Sequence, residues 1–142
     1  MTPPVVVLDT NVLYAGLWSR AGASFRVLEL VLDERLRPAL SVPLVLEYEM
    51  VLKREAAALD VAARDIDALL DHLCAVGHQQ RIHFLWRPTL RDPRDELVLE
   101  LAVAAGCPYI VTHNVRDFVG AEQFGVVVLP PAAYLRHLGE RP

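Results

Sequence analysis

Four carboxylates fall where strands should end or helices begin: Asp9, Glu47, Asp95 and Asp117. Asp9 follows the apolar run Val5-Val6-Val7-Leu8, and Glu47 lies in the first turns of a helix that Pro43 opens. Asp95 follows Asp92-Pro93, and Asp117 comes shortly after Tyr109-Ile110-Val111-Thr112, with Asn114 between. Carboxylates gathered in one crevice repel, and at least one stays protonated unless a cation lies among them. An all-oxygen donor set suits Mg2+ or Mn2+. Mg2+ typically takes one or two carboxylates, keeps several waters and binds substrate phosphate. The chemistry indicated is metal-assisted attack on a phosphate-bearing substrate.

Taken singly, each acid also has a plain structural reading. Asp9-Thr10-Asn11 is a good helix-capping sequence. Glu47 suits a solvated helix surface. Asp92-Pro93-Arg94-Asp95 has the composition of a helix start interacting with the helix dipole. Asp117 suits a turn. Only convergence on one edge of the fold favours a site, so the elements that would deliver these residues decide the matter.

The run from Val5 to Leu8 has no polar alternation, as in a strand covered on both faces of a parallel sheet. Asp9 then stands at its carboxyl end, where open α/β sheets bind ligands. A short helix or turn follows to Trp18, then a helix over 24–35 with Phe25, Leu28, Val31 and Leu32 on one face. A second strand over 37–41 leads into a helix over 43–53. Asp60 is expected to cap a helix over 61–76, which Gly77 closes. Strand formers over 81–86 predict a third strand, and 87–91 a loop. Asp92 caps a helix that Gly106 ends. Strands over 109–112 and 126–129 and a helix over 131–138 complete the chain. Strand–helix alternation implies right-handed βαβ units and a parallel sheet.

At 142 residues the chain is expected to form one domain, spanning 1–142. Its apolar content of 54% exceeds the usual range of about 45–50% and implies a well-buried sheet. No apolar run approaches the roughly 18 residues of a membrane span. Nor does Met1-Thr2-Pro3-Pro4 look like a secretion signal, so a cytoplasmic protein is the expectation. Cys74 and Cys107 read as small core residues. The net charge of −4 argues against a general basic coat, yet 13 of the 14 basic residues are Arg, which pairs well with phosphate. The five histidines lack zinc-binding spacing, and neither a Gly-rich phosphate loop nor a Gly-x-Ser-x-Gly elbow is present.

In order along the chain stand Val7-Leu8-Asp9-Thr10-Asn11-Val12, Ser41-x-x-Leu44-x-x-Glu47, Arg91-Asp92-Pro93-x-Asp95, Leu101-Ala102 and Tyr109-Ile110-Val111-Thr112-x-Asn114-x-x-Asp117-Phe118. In this ordered set the chain resembles the PIN domain family, in particular stand-alone PIN proteins classed as toxins of toxin–antitoxin pairs and similar to the VapC ribonucleases. The resemblance implies a three-layer α/β/α sandwich with a five-stranded parallel sheet. It implies a Mg2+- or Mn2+-dependent endoribonuclease acting on single-stranded RNA. By position, Asp9, Glu47 and Asp95 match the family's metal-binding acids, while Asn11 and Thr112 match polar residues that orient them. The family commonly has a fourth acid where this chain has Asn114, so Asp117 is the nearest substitute, and Asp92 is a candidate for the outer shell. A small antitoxin and a homodimer are the implied partners, with no membrane role.

An RNA substrate needs positive charge near the acids. Arg20, Arg87, Arg91, Arg94 and Arg116 fall in loops or helix starts around the expected edge, and Trp18 and Trp86 are aromatic groups on which bases could stack. Two other classes compete. A haloacid-dehalogenase-type phosphatase needs a second acid where Asn11 stands and a downstream lysine, whereas the only lysine is Lys53, inside a predicted helix. A non-catalytic RNA- or protein-binding module of the same fold is kept open by Asn114.

Overall fold

The computed structural model describes residues 2–82 and 90–141. Among them five strands form one parallel sheet in the order β3-β2-β1-β4-β5. These are β1 (Val5–Leu8), β2 (Arg37–Leu40), β3 (His78–Gln79), β4 (Tyr109–Val111) and β5 (Val127–Leu129). β1 is central because its side chains tolerate no water on either face. Val6, Val7 and Leu8 point alternately to opposite sides, and all are fully buried.

Helices α1 (Thr10–Trp18) and α2 (Ala23–Leu32) join β1 to β2. α3 (Val42–Arg54), α4 (Ala56–Leu59) and α5 (Ala63–Val76) join β2 to β3. α6 (Pro93–Ala105) returns the chain to β4, and α7 (Pro131–His137) follows β5. The steps β1–β2–β3 cross the sheet one way and β3–β4 crosses back. Right-handed crossovers therefore put α1–α5 and α6 on opposite faces, giving the α/β/α layers. The direction reverses between β1 and β4, the switch point where α/β sheets open a crevice.

The amphipathic stripes of α2 and α5 serve this core. Val27, Leu28, Leu30 and Val31 of α2, and Ile66, Leu70 and Leu73 of α5, are all buried in it. Cys107 is buried and Cys74 half-buried, both as free thiols. No helix among the described residues is long and apolar enough to cross a membrane.

Two expected elements fall elsewhere. The third strand is His78–Gln79, paired with Ala39 and Leu40 of β2, and not the segment over 81–86. Arg81 and Ile82 are irregular, and 83–86 lie outside the described residues, as does 87–89 of the expected loop. The cause is Gly77, which ends α5 so close to β2 that pairing begins at once. A Cβ there would meet the Leu73 carbonyl at 2.6 Å, Leu40 Cδ1 at 2.7 Å and the Pro38 carbonyl at 2.9 Å. Asp60 is not the cap of α5. It takes a left-handed conformation (φ 55°) that closes α4, a role its short polar side chain tolerates, and α5 begins after Ala62.

Two of the three atoms crowding position 77 are backbone carbonyls that cannot step aside. Gly77→Ala is expected to destabilise the fold by about 1–3 kcal/mol. The urea midpoint should fall with the slope unchanged. An unchanged midpoint would show that α5 and β2 are not packed this closely.

Candidate active site at the carboxyl edge of the sheet

The register of β1 on β4 sets the first contact. Leu8 pairs with Val111, and the Asp9 N–H donates to the Val111 carbonyl at 2.9 Å, so Asp9 and Thr112 are the next step on adjacent strands. Both are buried, Asp9 at 8% exposure and Thr112 at 0%. Asp9 Oδ1 accepts the Thr10 N–H at 2.8 Å and so caps α1. Asp9 Oδ2 accepts the Thr112 hydroxyl at 2.7 Å and the Asn11 amide at 3.3 Å. Thus Asp9 is a helix cap and a member of the cleft at once.

Thr112 uses its whole hydroxyl. Its proton goes to Asp9, and its oxygen accepts Asn11 Nδ2 at 3.1 Å and the Asn114 N–H at 3.0 Å. Asn11 Oδ1 accepts the His113 N–H at 3.2 Å, which orients the amide. The His113 ring is held in turn by Ser24 Oγ, 2.7 Å from Nε2.

Glu47 comes from α3, which Ser41 caps by accepting the Leu44 N–H at 3.3 Å, with Pro43 in the first turn. The Thr10 hydroxyl donates to Glu47 Oε2, tying α3 to α1. The next residue, the fully buried Tyr48, donates its hydroxyl to the Leu8 carbonyl. Burial, with Asp9 and Glu47 nearby, holds Tyr48 well above the ordinary tyrosine range, so it remains a donor. These two bonds fix the distance of α3 from the end of β1.

Asp95 enters in the first turn of α6. Asp92 caps that helix, its Oδ1 accepting the Arg94 N–H at 2.9 Å, and pairs with the Arg94 guanidinium at 3.0 Å. Asp117 sits on a 3₁₀ turn, Val115–Phe118, anchored by the buried Phe118. Among the described residues the Asp95 carboxylate accepts no hydrogen bond.

Asp9, Asn11, Glu47, Asp92, Arg94, Asp95, Asn114 and Asp117 all line one cleft of about 390 Å³, with Thr112 directly behind Asp9. Arg91 and Arg116 line an adjoining cleft of about 590 Å³ that shares Asp92, Asp95 and Asp117. Arg20 stands exposed in the turn after α1 and lines neither. Arg87 and Trp86 lie outside the described residues. The cleft also contains Thr10, Tyr14, Val51, Arg54 and Glu55, which sequence reasoning did not assign to it. Helical spacing held the signal: Tyr14 follows Thr10 by four residues, and Val51 and Glu55 follow Glu47 by four and eight.

Electrostatically the cleft is overcharged. Burial pushes Asp9 up, against the Thr112 hydroxyl and Thr10 N–H that pull it down. Burial also raises Glu47, opposed by Thr10. Asp95 is pushed up to about 6 by burial and then by the charges of Asp9, Asp92 and Asp117. Such oxygen-only, mutually repelling donors fit a hard divalent cation. Among the described residues, however, no three acids come together closely enough to clasp one ion by themselves.

The PIN domain family model matches residues 5–116. A chain of the crystal structure of VapBC2 from Rickettsia felis, bound to a DNA fragment from their promoter, superposes with a TM-score of 0.57 at 15% identity. The match covers 87% of this chain and 96% of that one. At that identity it speaks for the fold. No curated protein matches the chain in sequence.

Two outcomes follow from the site. Thr112→Val removes the donor to Asp9 and strands the Asn114 N–H, and is expected to cost about 1–3 kcal/mol of stability, read as a lower Tm. A Tm within error of the wild type would refute the bonded role of Thr112. Asp95 is held above its unfolded value near 3.8, so the folded state binds more protons than the unfolded one between about pH 4 and 6. Its contribution to stability is therefore lost as pH rises through about 6. In metal-free buffer Asp95→Asn should melt a few degrees above wild type at pH 7.5, with the gap closing below pH 4. A variant less stable at pH 7.5 would contradict the repulsion.

Proposed function

Because the chain belongs to the PIN domain family, whose members are generally nucleases that use divalent metal ions, we propose that it is a Mg2+- or Mn2+-dependent endoribonuclease cutting single-stranded RNA. The observation that carries this reading is the meeting of Asp9, Glu47, Asp95 and Asp117, from four separate segments, in one cleft at the switch point of the sheet.

Asp9, Glu47 and Asp95 would hold the ion, directly or through water, with Asp117 beside them. When bound, the ion supplies a water of lowered pKa and neutralises charge on the phosphate. The rest is done by the chain. The Thr112 hydroxyl and the Thr10 N–H keep Asp9 an acceptor, and Thr10 does the same for Glu47. The Thr10 hydroxyl is engaged with Glu47, and among the described residues no Ser, Cys or Lys lines the cleft. In this reading water is the attacking group. Arg94 has a side chain 65% exposed and is paired only at the surface with Asp92, so it can turn to an incoming phosphate. Arg91 and Arg116 would carry the strand through the adjoining cleft.

We further propose that a small antitoxin holds the protein in check, as the toxin of a toxin–antitoxin pair. Its support is the likeness to a chain of VapBC2. An exposed stripe on α3, Val42, Leu46 and Met50 at four-residue intervals, supports a protein contact there, to the antitoxin or to a second copy. The reading of a non-catalytic module draws only on Asn114, which lines the cleft without a charge.

Cleavage of a single-stranded RNA with and without Mn2+ tests the nuclease reading. Wild type should cut only with the ion, and Asp9→Asn should fall to background while keeping its fold by circular dichroism. Mn2+ should also raise the wild-type Tm, as any ligand of the native state must. A Tm insensitive to Mn2+ together with intact RNA would establish the non-catalytic module instead.

A further inference from the structure

The acid cleft has two outlets of different chemistry. Among the described residues the outlet on the α6 side is lined by Leu90, Arg91, Arg116, Val119 and three shared acids. The outlet on the α1 side begins at Tyr14, which lines the cleft itself. One helical turn further out is Trp18, its ring 6.0 Å from that of Tyr14 and within 18° of parallel. Trp18 is 61% exposed, so one helix face carries two aligned rings from the acids into solvent. Across the cleft, the Arg54 side chain at the end of α3 is 58% exposed and pairs only at 3.4 Å with its neighbour Glu55.

A large aromatic left in water contributes nothing to the core and needs another reason. Beyond Trp18 the chain turns polar through Ser19 and the exposed Arg20. A flat π-surface between a carboxylate cleft and guanidinium groups matches a nucleotide, whose base stacks while its phosphate seeks a cation. We propose that Tyr14 and Trp18 form a stacking platform for the nucleobase next to the scissile phosphate on the α1 side, with Arg54 facing the phosphate that follows. This rests on the nuclease reading of the acid cleft. It gives the α1 outlet a base to hold, while Arg91 and Arg116 offer backbone contacts on the α6 side.

The test pairs a protein change with a substrate change. A fluorescein-labelled single-stranded oligoribonucleotide, and copies with one abasic position moved along it, are bound to wild type, Trp18→Ala and Trp18→Phe in EDTA. Trp18→Ala should raise Kd roughly 5- to 100-fold, the range of one base–aromatic stack. Trp18→Phe should recover most of that loss. One abasic position should weaken wild type by a similar factor and leave Trp18→Ala unaffected, the signature of a shared interaction. With Mn2+, Trp18→Ala should raise KM and leave kcat nearly unchanged. Equal abasic penalties in wild type and Trp18→Ala, as expected if the indole meets only a protein partner, would overturn the platform while wild-type cleavage stands. Failure of wild type to bind or cut the oligonucleotide would overturn the nuclease reading as well.

Discussion

A carboxylate buried at the end of a central strand must be met by donors, and meeting Asp9 shapes this edge of the molecule. Three donors reach it: a backbone N–H from its own helix, a hydroxyl from the neighbouring strand and a side-chain amide between them. Each depends on a different feature. The N–H requires α1 to start at Thr10, the hydroxyl requires β1 and β4 in their observed register, and the amide requires the His113 N–H to orient Asn11. A slip of one residue between β1 and β4 would turn Thr112 to the other face and leave Asp9 charged and unpaired. The site and the sheet register are therefore one constraint.

The same economy runs through α1 and α3. Thr10 donates its backbone N–H to Asp9 and its hydroxyl to Glu47, so one residue sets two acids relative to each other. Tyr48 closes the arrangement from behind by anchoring α3 to the Leu8 carbonyl. What these bonds do not do is neutralise charge. Asp95 has no such donors among the described residues, and burial, then the charges of Asp9, Asp92 and Asp117, push it up to about 6, while Asp92, with Arg94 at hand, lies below the ordinary range. Stability is surrendered locally where function needs an unsatisfied negative field.

Much of this was legible in the sequence because the signals are local. An unbroken β-branched run marked β1, Asp92-Pro93 marked the start of α6, and Gly106 its end, where it takes a left-handed conformation at φ 66°. The acids could be placed on one edge because each follows a strand or opens a helix. The third strand was misplaced because its two residues carry no strand pattern of their own. Its position is dictated by how closely Gly77 packs on β2, a tertiary fact. Asp60 misled because the same polar side chain suits a helix start and a left-handed stop. Tyr48 carries no local mark of its role, since the carbonyl it serves lies 40 positions away. Arg54 entered the cleft through the approach of α1 to α3, which no local pattern announces.

Asn114 has a physical rationale that the family pattern alone lacks. Its N–H is committed to Thr112, and it lines a cleft where burial, then Asp9, Asp92 and Asp117, push Asp95 up to about 6. An aspartate at 114 would add one more charge beside the most strained acid and drive it further toward the protonated form. Asparagine keeps an oxygen at that wall without the charge. Asp117, three residues on, lines both clefts. The chain thus has an uncharged oxygen at 114 and keeps the negative charge of this segment at Asp117.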